Sequence, residues 1–465
     1  MTDFAALNYR RPEAERPRQS PVIVFLTDQQ RWDATGIGGN PCGLTPNLDH
    51  AARSGTWFDN AHTPQPLCTP ARSCLQTGNF ATANGVHRNG LSLATDADTL
   101  AKRFSGAGYA TGYIGKWHLA PTGSRGPVAP EDRGGYDYWL AANALEHVSD
   151  SYLTRLYDND QQPVDLPGYR IDALTDAAIR YIGDHADEPF LLFVSFLEPH
   201  HQNRRDDYPA PEVYRDAYHG SWLPPDLASL HGTSYQQIGG YYGMIKRMDE
   251  AYGRLLDALR SLGLYEDTIT VFSSDHGCHF KTRNGEYKRS VHDGSTRVPL
   301  MIRGPQVPRG RIVEDVVSTV GLPATLMELA GIEAPVGIQP SLTPVMRSVE
   351  PPAGEAFIQV SETEVARGIR TQRWKYGVIA PDADPIADAG SDRYVEGYLY
   401  DLEADPYELN NLVGLPSHRD VSDHLRERLL SWMKAAGEPD AVVESAVTSP
   451  AGRGQLEVWP SEVTS

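Results

Sequence analysis

Four apolar runs constrain this chain more than any other feature, because each ends abruptly on residues able to bind or react. Val22 to Leu26 stops on Asp28-Gln29 (PVIVFLTDQQR), and Thr268 to Phe272 stops on Asp275-His276 (DTITVFSSDHG). PFLLFVSFLEPHH ends on Glu198, His200 and His201, and YATGYIGKWH ends on Lys116 and His118. Short apolar runs of this kind read as strands buried on both faces, as in a parallel sheet. Helical patterns lie between them, including Met244 to Gly263, with apolar residues at helical spacing and a terminal glycine. Strands alternating with helices predict an α/β fold: a doubly wound, mostly parallel sheet flanked by helices. Ligands of such sheets bind beyond the carboxyl ends of the strands, where these polar residues emerge.

Taken singly, each ending has a plain reading. Asp28 suits a turn, and Asp275-His276-Gly277 suits a loop opening. Two pairs of donors at neighbouring strand ends are harder to explain that way. Asp28, the Gln29 amide oxygen, Asp275 and His276 suit a divalent cation with mainly oxygen ligands, calcium or manganese. The clustered Cys/His spacing of a structural zinc site is missing. The stretch LCTPARSCLQTG, Leu67 to Gly78, adds a different chemistry. Pro70 fits a first helical turn, Thr69 can cap it, and Gly78 would end the helix. Cys68 would then lie beside the positive end of the helix dipole, with Arg72 a turn further in. That is a place for an anion and for an activated thiol.

Composition narrows the class. With 465 residues and 40% hydrophobic content, the chain can bury a large core plus a smaller second domain. A formal charge of -19 argues against general binding of nucleic acid or anionic membrane. Four cysteines (Cys42, Cys68, Cys74, Cys278) make no disulfide framework. The first residues, MTDFAALNYRRPEAERPRQS, lack the apolar core of a secretory signal, and runs such as FLLFVSF fall short of the ~20 residues of a membrane span. A cytoplasmic protein is the expectation. The candidate catalytic motifs all fall within residues 17–345, which form the expected main domain. GIEAPVGIQPSLTPVMRSVEPPAGEA reads as a connector. Residues 346–465 read as a small C-terminal α+β domain with one helix near HRDVSDHLRERLLSWMKAAGE, followed after Pro439 by a weakly patterned tail.

The motifs in combination resemble the type I, formylglycine-dependent sulfatases of the alkaline phosphatase superfamily. The family signature, Cys-x-Pro-Ser/Ala-Arg followed by x-x-Leu-x-Thr-Gly, is matched throughout Cys68 to Gly78. The order of Asp28, Gly115-Lys116-Trp117-His118, Pro199-His200, Ser274-Asp275-His276-Gly277, Lys288 and Arg297-Val298-Pro299-Leu300 matches as well. Arg370-Thr-Gln-Arg-Trp-Lys-Tyr and Leu399-Tyr400-Asp401-Leu402 are similar to the family's C-terminal domain.

The resemblance implies a function for each matching position. Cys68 would be oxidised by a formylglycine-generating enzyme to an aldehyde, hydrated to a diol that attacks sulfur and then expels sulfate by collapsing back. Asp28, Gln29, Asp275 and His276, with the modified Cys68, would bind the metal, calcium first and manganese second. Arg72 would orient the diol, and Lys116 and Lys288 would neutralise the sulfate oxygens. His118 would be the base that releases sulfate, and His200 the acid near the leaving oxygen, shared with Lys288. Cys74 reads as a packing residue, and His201 matches no motif position.

Two departures from the family pattern leave alternatives open. Gln29 stands where a second Asp is common, and His276 where some relatives have Asn; both variants also occur in phosphonate monoester and phosphodiester hydrolases. The segment Cys278 to Lys288 is unusual too, and puts His279, Lys281, Arg283 and Asn284 near the pocket. They read either as binding groups for a polar, anionic substrate such as a sulfated sugar, or as a solvated loop. The expected activity is hydrolysis of sulfate monoesters on a small molecule or carbohydrate. A phosphonate or phosphodiester hydrolase and a non-catalytic anion-binding relative are the rivals. A homo-oligomer, with the tail embracing a neighbour, stays open.

Overall fold

The apolar runs form strands. The computed structural model describes residues 19–121, 123, 125–350 and 353–446. In chain order its strands are β1 (Val22–Thr27), β2 (Thr56–His62), β3 (Ala110–Lys116), β4 (Tyr138–Ala142), β5 (Thr154–Tyr157), β6 (Pro163–Leu166), β7 (Phe190–Ser195), β8 (Ile269–Ser274), β9 (Leu300–Arg303) and β10 (Arg311–Ser318). They make one sheet in the order β10-β2-β9-β8-β1-β7-β3-β4-β5-β6. The block β8-β1-β7-β3-β4 is parallel. Antiparallel pairing enters at β9, between β2 and β8, and at the β5–β6 edge. The sheet is therefore mixed around a parallel centre, and the Arg297–Leu300 segment leads into its antiparallel strand.

Alternate residues of the central strands feed two cores, as the period of two requires. Val24, Tyr113, Phe193 and Val271 face one side; Phe25, Ile114, Leu192 and Phe272 face the other. Helices Arg170–Asp184 and Ser234–Ser261 cover the second face through residues such as Leu174, Met248 and Leu255. The second helix starts ten residues before the Met244 start read from the pattern. Gly239, Gly240 and Gly243 masked that start: a Cβ at Gly240 would stand 2.2 Å from the Tyr208 carbonyl oxygen, so glycine is kept for close packing rather than to break the helix.

Register brings the polar endings together. Thr27 pairs with Ser274, Leu26 with Ser195, and Gly115 also with Ser195. Asp28, Asp275, Lys116 and the segment after Ser195 therefore leave the sheet along one edge, where neighbouring strands part. Gly115 is held at φ +106, and a Cβ there would lie 2.0 Å from the Ser195 carbonyl oxygen. Gly115→Ala should cost about 2–4 kcal/mol, combining left-handed strain with overpacking. Denaturant melts of the variant and wild type will check this; an unchanged midpoint would show that the strand slides without penalty.

The second sheet, β11 (Ala356–Val360), β12 (Ala366–Arg370), β13 (Trp374–Ile379), β14 (Arg393–Asp401) and β15 (Val442–Glu444), is antiparallel except for the β14–β15 pair. Helix Arg419–Ala435 covers it with Leu425, Leu429 and Met433. This core also takes in Cys74, Phe80 and Val320, so the two parts share an apolar boundary. Burial pushes the Cys74 thiol up to about 12, as befits an inert packing group. Among its described residues, the connector contains one short helix, Thr343–Arg347. Residues 17 and 18, and the tail from 447 on, lie outside the described residues. Among the described residues, no helix is long and apolar enough to cross a membrane.

Candidate active site

Helix Cys68–Thr77 begins at Cys68 itself, with Leu67 in the N-cap position and Gly78 ending it at φ 71. Thr69 is inside the first turn, and its free backbone N–H is met by Asn89 Oδ1 at 3.1 Å rather than by a cap of its own. The whole helix is buried, and Cys68 points to where β1 and β8 end.

Around its sulfur the structure gathers most of the predicted site. His276 Nε2 lies 3.3 Å from Cys68 Sγ, Lys288 Nζ 2.9 Å and Asp28 Oδ1 3.9 Å. The ligand atoms of Asp28, Cys68, Asp275 and His276 all lie within 4.8 Å of one another. That span is about twice a ~2.4 Å calcium–oxygen bond, so the set can close on one cation. His276 Nδ1 faces the Gly277 carbonyl at 3.0 Å and must donate to it, leaving the Nε2 lone pair toward the cluster. Lys288 can only donate, so the Gln29 atom 3.4 Å from it is the amide oxygen; the amide nitrogen reaches Tyr208 at 3.0 Å.

Arg72 lies behind the carboxylates. Its guanidinium donates to Asp275 at 3.1 Å, Asp28 at 3.0 Å, the Lys116 carbonyl at 3.0 Å and Ser195 at 2.6 Å. These bonds make it a brace for the metal-type ligands. Lys116 Nζ is 2.8 Å from Asp28 and 3.3 Å from Glu146, with no solvent exposure. Burial and the Cys68 sulfur push the Asp28 carboxyl up, but Lys116, His200 and Arg72 outweigh them and hold it below the usual range. Burial and the Asp28 charge raise Asp275. Burial also opposes ionisation of Cys68, yet Lys116, Lys288, His276 and a hydrogen bond from His118 bring its thiol well below the usual value.

His200 is nine-tenths buried or more, and its Nδ1 donates to the His201 carbonyl at 2.7 Å. Its Nε2 therefore accepts from Lys288 Nζ at 3.1 Å. Burial and Lys288 lower its basicity. His201 stacks on His200 and on Tyr287. His118 sits at φ 62, two residues past the end of β3, with Nδ1 3.9 Å from Glu146.

Glu146 was not visible from the sequence. It lies in the short helix Leu145–Val148 after β4, a five-residue, alanine-ending strand too short to stand out as an apolar run. Burial raises its carboxyl, but Lys116 and His118 bring it down to about 2, so it is charged beside both.

The three residues read as substrate contacts all meet backbone carbonyls in the structure. His279 is fully buried with Nε2 3.1 Å from the Lys288 carbonyl. Arg283 donates to the carbonyls of Glu408 and Tyr407, both at 2.8 Å. Asn284 donates to the carbonyls of Lys288 at 3.3 Å and Arg289 at 3.1 Å. These groups hold backbone, because a loop without regular structure must satisfy its carbonyls with side chains. Lys281 reaches Asp206 at 2.8 Å.

A buried cysteine among lysine and arginine side chains, beside a cation-type ligand set on the sheet edge, suits a hydrolase of anionic esters with the alkaline phosphatase-like fold. Residues 20–332 match the Sulfatase family, and the chain belongs to it. Residues 285–435 match the family described as N-sulphoglucosamine sulphohydrolase, C-terminal. The chain is 32% identical over 447 residues to an ulvan-active sulfatase of Formosa agariphila, covering 92% of this chain and 83% of that protein. It is 24% identical over 534 residues to an N-acetylglucosamine-6-O-sulfatase of Bacteroides thetaiotaomicron, covering 96% and 92%. The phosphonate monoester hydrolase of Agrobacterium radiobacter shares the fold, with a TM-score of 0.70 and 24% identity over 90% of this chain and 96% of that one.

Proposed function

We propose that this sulfatase hydrolyses sulfate monoesters on a carbohydrate, with a formylglycine made from Cys68 and a divalent cation, calcium before manganese. One observation carries the reading. Lys288 is buried, and among the described residues no carboxylate lies within 4 Å of its ammonium; it faces the Cys68 sulfur and two imidazoles instead. A buried cation without a carboxylate is placed to meet an anion that arrives with the substrate. Relatives named for ulvan and for N-acetylglucosamine-6-O-sulfate chemistry support a carbohydrate as that substrate.

The sulfur of Cys68 stands where the oxygens of the modified side chain would be. That group, when formed by the maturation enzyme, supplies a hydroxyl nucleophile and an internal route for releasing sulfate. Asp28, Gln29, Asp275 and His276 would hold the cation, which would polarise oxygen there. Arg72 fixes the two carboxylates. Lys116 and Lys288 neutralise negative charge on either side of Cys68. His118 accepts a proton on the Cys68 side, with Glu146 beside its other nitrogen. The Lys288 ammonium, held at His200 Nε2, supplies the proton that the departing alcohol oxygen takes up, directly or relayed through that imidazole nitrogen.

The test pairs an aryl sulfate with the matching aryl phosphonate monoester, on protein produced together with the maturation enzyme. Faster turnover of the sulfate is expected. Preference for the phosphonate would overturn the choice and favour the rival that Gln29 and His276 keep in view. A panel of sulfated mono- and oligosaccharides then identifies the position attacked.

A further inference from the structure

We infer that the C-terminal domain sets the position of the catalytic Lys288, through Arg283 on one side of it and Glu362 with Thr363 on the other. The inference rests on the proposed reading, in which Lys288 and His200 protonate the leaving group.

Lys288 lies in a stretch from His279 to Ser290 that belongs to neither sheet. Its ammonium must nevertheless meet four partners at once: Cys68, His200, His276 and Gln29. Within the loop, His279 and Asn284 hold the Lys288 carbonyl. They fix the turn's internal shape and leave its placement against the catalytic edge to other contacts.

Part of that placement comes from the main domain, where the Arg289 N–H meets the Pro66 carbonyl at 3.2 Å and Tyr287 donates to Asp206 at 2.8 Å; the second domain supplies the rest. Arg283 spans the boundary to two successive carbonyls, Tyr407 and Glu408, with only 9% of its surface exposed. Those carbonyls are themselves anchored. Glu408 receives the Asp293 backbone N–H at 2.7 Å and pairs with the buried Lys375 at 2.6 Å. Lys375 in turn pairs with Asp293. Arg283 therefore pulls against a strut locked to β13 through Lys375 and to the main domain through Asp293.

On the far side of Lys288, the β11–β12 turn takes over. Thr363 donates to the Arg289 carbonyl at 2.8 Å, and Glu362 pairs with the Arg289 guanidinium at 2.8 Å. The other Glu362 oxygen accepts the Asn89 N–H at 2.7 Å, and Asn89 Oδ1 accepts the Thr69 N–H beside Cys68. One carboxylate of the C-terminal domain thus ties the segment carrying Lys288 to the helix start carrying Cys68. A shift of about 1 Å in a positioned group costs on the order of a hundredfold in rate, so these contacts bear on turnover although they touch no substrate.

The experiment measures kcat and KM for aryl sulfates spanning good to poor leaving groups, with melting temperatures alongside. Wild type, Lys288→Ala, Arg283→Ala, Arg283→Lys and Glu362→Gln are compared. Arg283→Ala should lose at least tenfold in kcat with KM within twofold, and the loss should grow as the leaving group becomes poorer, following Lys288→Ala. Arg283→Lys, which keeps a donor for one carbonyl, should recover part of it. Glu362→Gln should show the same leaving-group trend more weakly, and it gives the answer if Arg283→Ala does not fold. Losses equal across leaving groups in both clamp variants, or a change confined to KM, would overturn the inference while leaving the proposed activity intact. A flat response in Lys288→Ala would remove the acid assignment and the inference with it. No turnover of any sulfate by wild type carrying the aldehyde would reject the proposed activity itself.

Discussion

Serine at position 68 should leave a folded protein with no measurable sulfatase turnover, in a host whose maturation machinery oxidises only cysteine. Cys68 sits in the first turn of a buried helix, and its sulfur is met by Lys288, His276 and Asp28 rather than by a tight apolar wall. A serine hydroxyl fits that polar setting, so the melting temperature should move little. The chemistry is another matter. A serine oxygen can take up sulfate once, but the resulting ester has no internal way to release it, whereas a hydrated aldehyde does. In a serine protease, losing the nucleophile costs on the order of 10⁶ in kcat, and a loss of that size would put turnover here below detection. Mass analysis of the active wild type should find the aldehyde or its hydrate at Cys68, with Cys42, Cys74 and Cys278 still thiols. Cys74 and Cys278 are buried and their thiols are raised, which fits that outcome. Full turnover by a serine variant free of aldehyde would sink the mechanism.

The parts of the site that could be read from the sequence are those where one residue does two jobs in a local pattern. Asp28 and Asp275 follow apolar runs, so the strand that places each one also announces it. Cys68 and Arg72 are a turn apart on one helix, and their spacing carries the geometry. What stayed hidden depends on partners far away in the chain. Arg283 looked like a pocket cation because it is basic and lies five residues from Lys288. Its partners are the carbonyls of residues 407 and 408, which no local pattern reports. Glu146 was missed because β4 is short and its neighbours carry no motif. The antiparallel strand β9, inserted between β2 and the parallel block, was equally silent: apolar runs give strand positions, while pairing direction is decided by connections. The long helix began earlier than its periodicity because glycines chosen for close packing look like breakers.

The two active-site lysines should separate sharply when each is removed. A chain at -19 repels a sulfated substrate at long range, so the pocket must reverse the sign locally. Lys116 and Lys288 both contribute, but their surroundings differ. Lys116 is paired with Asp28 and Glu146, and its loss would leave the buried Glu146 without its cation and Asp28 with Arg72 alone. Lys116→Met should therefore cost about 3–5 kcal/mol of stability as well as turnover. Lys288 faces neutral nitrogen, an amide oxygen and the Cys68 sulfur, so burying its ammonium is a cost that the free enzyme bears for the sake of an incoming anion. Lys288→Ala should lower kcat on a sulfate ester by about a hundredfold or more, equivalent to roughly 3 kcal/mol of transition-state stabilisation. Its melting temperature should stay level or rise. Thermal melts and steady-state kinetics on the same preparations decide the matter. A fall in stability for Lys288→Ala matching that of Lys116→Met would show that Lys288 is a structural cation, and would remove the observation on which the anion-binding role depends.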